Sequence, residues 1–286
     1  MAYDVGFDPH SKAARHEMIP RRFANVLTSA VLACAAALLL SSTLSATTLL
    51  ALIDKKHHRV VLAADSMLNY QVAQTTVQTC KIVARPACVF GMAGLFYKEY
   101  PPFKLQELAQ QACDLQGDLQ HRADAFLEIA REPIVAVGQY LLQNEPRLYA
   151  DLNNGVNGGE LIIVLFVGAQ NGQSVILARG YRFDGTGGIK PVSSDVTEDR
   201  QGVGFFGGAN QAIAAYIKAH KNWQKMDKVA AARKFVQLEI DASPQWVGPP
   251  ISIVTVNHLD QKKWVDPGVC ASPPPAPTAE PKNDQP

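Results

Sequence analysis

The sequence is short of the features that would point to a charged partner or a bound ion. Its 27 lysines and arginines stand against 26 aspartates and glutamates, a formal net charge of +1. That balance predicts neither a nucleic-acid partner nor attraction to an acidic membrane surface. None of the five cysteines has the CxxC spacing of a zinc or redox site, and the seven histidines form no HExxH or similar cluster. No metal centre is indicated, and neither a metal nor an organic cofactor is expected. Internal repeats and a Gly/Ser linker are also missing, so one domain is the simplest partition of the chain.

What is plentiful is apolar residues. In 286 residues, 47% are hydrophobic and 19% charged, enough to bury one large core or two small ones. The apolar residues are unevenly spread. Residues 1–20 are polar and mixed. Arg21 and Arg22 then precede an almost unbroken apolar and small-residue run over 23–40, followed by Ser41, Ser42, Thr43, Leu44, Ser45 and Ala46. A basic start, an apolar middle and a small-residue end are the pattern of a cleaved export signal. The run also has the length of a transmembrane helix, so a retained anchor is the alternative. Residues 1–46 are therefore expected to be a polar segment plus export signal or signal anchor. The location is then periplasmic or secreted, or membrane-anchored if the segment stays. Residues 271–286 are Pro-rich and are expected to form a disordered tail. Cys34 lies in the export segment, leaving Cys80, Cys88, Cys113 and Cys270. An even count in an exported chain permits disulfides, and buried thiols are equally consistent with it.

Between these ends, residues 47–270 read as one domain. Residues 47–53 and 58–64 form a hairpin, the second strand apolar on both faces. Short strands follow at 78–84 and 87–92. Apolar residues at three-to-four spacing predict helices over 103–115 and 123–142. A loop is expected at 153–159 and a hairpin over 161–167 and 174–181, turning at Asn171 and Gly172. Helices at 209–219 and 228–240 and a strand at 251–256 complete the pattern. This order predicts an α+β fold, a four-layer αββα sandwich of two packed sheets, each covered by a helix pair.

Thr47-Thr48-Leu49-Leu50-Ala51, the Ala63-Ala64-Asp65-Ser66 run and Lys81, sixteen residues after Asp65, together with Gly91-Met92-Ala93-Gly94, resemble the opening of proteasome β-type subunits and their bacterial relatives in the Ntn-hydrolase superfamily. The close resemblance covers residues 47–94, and element order extends it loosely over the rest. It implies that Thr47 becomes an N-terminal nucleophile and that Asp65 and Lys81 support it. It also implies Gly94 as oxyanion donor, Asp241 and Ser243 as support from the far half of the domain, and Thr79 and Met92 as lining for a substrate pocket. Where the family has a Ser-rich turn, this chain has Gly207-Gly208-Ala209. The resemblance also implies self-association as a homo-oligomer.

The chemistry such residues support is acyl transfer. A threonine hydroxyl needs a base, and the α-amine of the same residue can serve. Its ordinary pKa of about 7.7–8.0 suits general-base work near neutrality, and a nearby Lys81 ammonium would lower it further. Taken singly, Thr47 is an ordinary strand residue, Asp65 a strand-end residue, Lys81 a solvated cation and Met92 core packing. Trp223 and Trp246 are expected as core or partner-facing anchors. The combination, directly after a cleavage point, predicts a threonine peptidase or amidohydrolase acting on a peptide or small amide. The competing expectation is a non-catalytic membrane-anchored or exported assembly protein, which would contact a membrane only if residues 23–40 stay attached.

Overall fold

A computed structural model describes residues 47–70, 75–153, 160–184, 188–199 and 204–270. The expected export segment, the Pro-rich tail and most of the expected 153–159 loop lie outside the described residues. Among the described residues no helix is long and apolar enough to cross a membrane.

The chain opens with β1 (Thr48–Asp54), β2 (Arg59–Ala64), β3 (Met67–Tyr70), β4 (Thr75–Gln78), β5 (Ile82–Ala84), β6 (Val89–Gly94) and the short pair β7 (Tyr97–Lys98) and β8 (Phe103–Lys104). Helices α1 (Leu105–Cys113), α2 (Leu119–Asn144) and α3 (Pro146–Asn153) follow, then β9 (Glu160–Gln170), β10 (Gln173–Phe183), β11 (Ile189–Thr197) and β12 (Gly204–Gly208). Helices α4 (Gln211–Ala219) and α5 (Lys228–Ala242) precede β13 (Ser252–Asn257) and β14 (Lys262–Asp266). The result is a mixed α/β fold with antiparallel sheets. One five-stranded sheet runs β12-β1-β2-β13-β14 and the other β11-β10-β9-β6-β5.

Period-two alternation explains how apolar runs serve two cores at once. Along β1 and β2, Leu49, Ala51, Ile53, Val60, Leu62 and Ala64 point to a core built only from strands of the two sheets. The intervening Leu50, Leu52, Val61 and Ala63 face a second core with Ile213, Trp223 and Phe235 of the α4–α5 region. The other sheet repeats the division: Ile163, Leu165 and Val167 of β9 join the strand-only core. Ile162, Val164 and Phe166 join the core beneath α1 and α2, with Phe126, Ile134 and Val137. Trp223 is thus a core residue, and Trp246 packs partly buried against the same cluster.

Local capping fixes the helix starts. Asp118 accepts from His121 N at 2.8 Å at the head of α2, and Asp227 accepts from Ala230 N at 2.9 Å at the head of α5, each satisfying an amide that the helix cannot. Buried Glu239 of α5 accepts from Ile213 N at 2.8 Å, fastening α4 to α5. The expected helix at 209 begins two residues later, because Ala209 N donates instead to Thr47 O at 2.6 Å. Strands β3, β4, β7, β11, β12 and β14 and helix α3 lie outside the expected pattern, and β8 takes the first two residues of the helix expected over 103–115. β11 is a mostly polar edge strand containing Pro191, with no buried residue along it, so it lacks the apolar run that marks the others.

The four cysteines of the domain form two disulfides, Cys80–Cys270 and Cys88–Cys113, which decides between bridges and buried thiols. Truncating fully buried Phe126 to alanine is expected to cost about 3–5 kcal/mol by urea unfolding. Leu142→Ala, at a position on the same helix left 43% exposed, should stay within about 0.5 kcal/mol.

Candidate functional site

The end of β2 carries Asp65 into the interior, where its carboxylate is completely enclosed. A buried charge is tolerated only when paired and hydrogen-bonded, and here both oxygens are engaged. Oδ1 accepts from Thr48 N at 2.8 Å and from Lys81 Nζ at 2.8 Å. Oδ2 accepts from Met67 N at 3.0 Å and Gly248 N at 3.2 Å. Asp65 N in turn donates to Thr48 O at 3.2 Å, so one residue engages both main-chain polar groups of Thr48. Lys81 directly precedes β5 of the other sheet, and the ion pair therefore joins the two sheets.

Lys81 is as fully buried as its partner. Burial pulls its ammonium pKa down, and the charge of Asp65 and its hydrogen bond pull it back up. The ring of Phe96 lies 5.9 Å from Nζ, an outer-range cation–π contact that adds an attractive face without a second anion.

Thr47 stands at the entrance of β1, 1% exposed. Its carbonyl is held by Ala209 N, and the Thr48 hydroxyl donates to Ala209 O at 3.1 Å. This close approach needs Gly208, whose φ is +76° and on which a Cβ would meet Thr47 O at 1.8 Å. Among the described residues the Thr47 hydroxyl is buried with no hydrogen-bond partner. A buried orphan hydroxyl costs free energy, and here it belongs to the residue directly before Thr48, whose amide binds Asp65.

Gly94 ends β6 with φ +96°, and a Cβ on it would meet Leu161 O at 2.3 Å. Leu95 N donates to Leu161 O and Met92 N to Lys81 O. By alternation the Gly94 N–H points the same way as that of Met92, to the Lys81 side of the strand. Thr79, partly buried, donates from its backbone N to Ser66 O at 2.7 Å. Met92 is fully buried in the core under α1 and α2, packed as a core residue.

Asp241 does not join this cluster. It is exposed on α5, where its Oδ1 accepts from Gln237 Nε2 at 2.7 Å, one helical turn away. Ser243 follows the end of α5, its carbonyl accepting from Trp246 N and Val247 N. The far half of the domain reaches Asp65 and Ser66 through backbone instead. Gly248 N binds Asp65, Ser66 N donates to Gly248 O at 3.0 Å, and the Ser66 hydroxyl donates to Pro250 O at 2.6 Å. Gly208, Ala209 and Gly248 escaped sequence reasoning, whose only signals for them were the Gly207-Gly208 and Gly248-Pro249-Pro250 runs.

No family model and no curated protein matches the chain. Among solved structures, the chain is similar to eukaryotic HslV from Trypanosoma brucei, with 14% identity and a TM-score of 0.40 over 74% of this chain and 99% of that one.

Asp65→Asn would leave the Lys81 ammonium buried without its counter-charge, and a loss of about 3–5 kcal/mol is expected near neutral pH. Without Asp65 the charge and hydrogen bond that raise the Lys81 pKa are lost while the burial that lowers it remains, so the folded state binds fewer protons than the unfolded between the lowered pKa and the ordinary lysine value. Stability of the variant therefore rises with pH across that window. Urea unfolding of parent and variant at about pH 7 and about pH 9.5 should show the gap narrowing at the higher pH.

Proposed function

We propose that the chain is an N-terminal threonine hydrolase that cleaves a peptide or other amide bond through an acyl-enzyme intermediate once residues 1–46 are removed. Its fold, on this reading, is the four-layer αββα sandwich of the Ntn-hydrolase superfamily. The observation that carries the reading is the junction of Thr47, Asp65 and Lys81. An unpartnered buried hydroxyl adjoins a peptide unit whose amide shares one carboxylate oxygen with a buried lysine.

Cleavage between Ala46 and Thr47 frees an amine on the residue that bears the hydroxyl. Like-charge repulsion from Lys81 lowers the pKa of that amine and keeps it neutral and basic near pH 7. The amine takes the hydroxyl proton as Oγ1 attacks the substrate carbonyl carbon, and the Gly94 N–H donates to the oxyanion that forms. Collapse expels the leaving amine with the proton, giving a Thr47 ester. Water, deprotonated by the same α-amine, hydrolyses the ester and restores the free threonine. Asp65 keeps Lys81 charged and fixes the Thr48 amide, so the two ends of the mechanism share one anchor. Asp241 is left out of this scheme, and the backbone of Gly248 takes the part of the far-half support.

Two disulfides in the domain support location outside the cytoplasm, where thiols are not kept reduced. Self-association belongs to the same reading, on the resemblance to proteasome β subunits.

Intact-mass measurement on protein purified from its own host should give a chain beginning at Thr47. A mature chain that keeps residues 23–40 would sink the mechanism and favour an anchored, non-catalytic protein. On the mature form, a peptide epoxyketone, which closes a ring with the hydroxyl and amine of an N-terminal threonine, should add one equivalent. Thr47→Ala should abolish that adduct, and Lys81→Ala should slow its formation at pH 7 by about a hundredfold or more, the scale on which a positioned acid–base group contributes.

A further inference from the structure

We propose that the Cys80–Cys270 disulfide is a positioning element of the Thr47 site, holding Lys81 on Asp65 by tying the segment that carries the lysine to the sheet that carries the aspartate. Its kinetic consequence rests on the hydrolase reading above; its structural content does not.

Lys81 is carried by a short segment at the edge of its sheet. Cys80 immediately precedes it, and β5, which follows, has three residues and lies at the edge of its sheet with only β6 beside it. The Lys81 carbonyl accepts from Met92 N at 3.0 Å. Upstream, the chain leaves the β3–β4 hairpin, a separate two-stranded sheet, fastened at its base by Thr79 N to Ser66 O. A long, flexible side chain springing from a short edge strand must nevertheless hold one fully enclosed position 2.8 Å from Asp65 Oδ1.

The other half of the disulfide is anchored where Asp65 is. Cys270 closes a 3-10 turn (Gly268–Cys270), its N–H donating to Pro267 O at 2.8 Å. Pro267 O also accepts from the Ser252 hydroxyl at 3.1 Å. Gly268, at φ +52°, fits against that hydroxyl so closely that a Cβ would meet Ser252 Oγ at 2.5 Å. Ser252 opens β13 and pairs in register with Ala64 of β2, the residue directly before Asp65. A closed path thus runs from Asp65 through β2, β13 and the terminal turn to Cys270, across the disulfide to Cys80, and back through Lys81 to Asp65. It crosses between the sheets twice, once by the ion pair and once by the S–S bond. The second bridge, Cys88–Cys113, ties the lead into β6 to the end of α1 inside the outer core, and touches neither Lys81 nor the first sheet. It is a built-in control for loss of a covalent link.

If the clamp places Lys81, its removal lets the ammonium drift from Asp65 and from the Thr47 amine, and the pKa of that amine rises. The test is the pH dependence of epoxyketone labelling of mature protein for the parent, Cys80→Ser/Cys270→Ser and Cys88→Ser/Cys113→Ser. The expected result is a rate about tenfold or more lower at pH 7 in the first double variant, recovering toward the parent rate as pH is raised past the shifted amine pKa. The second double variant should keep the parent's profile even where its Tm falls. A merely structural role would depress the rate at every pH or leave it unchanged. A Cys80→Ser/Cys270→Ser profile superimposable on the parent's would overturn the proposal. Should that variant fail to fold, Ser252→Ala keeps the disulfide and removes the hydroxyl contact that joins its turn to the start of β13, beside the β13–β14 pairing; a shift in the same direction supports the clamp, and a crystal structure of that variant with Lys81 Nζ still on Asp65 and an unshifted profile rejects it. If the parent is not labelled at any pH, the hydrolase reading fails. A crystal structure of the Cys80→Ser/Cys270→Ser protein, or of Ser252→Ala in its place, then decides the positioning claim. Lysine displaced from Asp65 upholds it, and an intact Nζ–Oδ1 contact refutes it.

Discussion

A single buried carboxylate organises this molecule. Asp65 lies where β2 ends, with its strand in one sheet and its counter-ion in the other, and it accepts from three backbone amides and one ammonium. Removing such a charge from water is costly, and the cost is offset only because every donor is in place at once. The hairpin of β1 and β2, the segment before β5 and the loop after α5 must all arrive at the same point. The site is thus a condition for closing the two sheets on one another.

That condition shapes the neighbouring backbone. Thr47 cannot be gripped by Ala209 unless position 208 has no side chain, and the turn there adopts a left-handed φ that glycine takes without strain. On the other flank Gly248 packs against the Met67 side chain, whose Cε a Cβ would meet at 2.5 Å. The glycines thus allow backbone amides to do what side chains cannot do in so little space. They leave room for donors against a carboxylate and a carbonyl. In the proposed chemistry those donors hold Asp65 and Thr47 in place, and the oxyanion is left to Gly94.

Much of the site was legible along the chain, and the illegible part has a common cause. Asp65 and Lys81 were named through the sixteen-residue spacing of the resemblance to proteasome β subunits, and the structure joins them directly. Asp241 and Ser243 were nominated from order and residue type, yet Asp241 faces solvent because the last turn of α5 directs it to Gln237. The true contacts from that half of the domain are main-chain groups of residues 248 and 250, and main-chain groups carry no signature of residue type. Met92, named beside the site, turned its side chain to the opposite face of β6, a matter of strand parity against sheet order.

The sequence by itself determined what is local. Period-two apolar runs made strands with two covered faces, three-to-four spacing made the helices, and Asp118 and Asp227 set helix starts, because each depends on neighbours within a few residues. It also determined that four cysteines were available, without saying how they pair. Only the tertiary structure decided that Cys80 joins Cys270 across 190 residues of chain, and that Gly248 reaches Asp65 and Ala209 reaches Thr48 across separations of 183 and 161. Contacts so distant follow from how the sheets stack and which edges meet. That packing is settled by burial summed over the whole domain, and no window along the chain contains it.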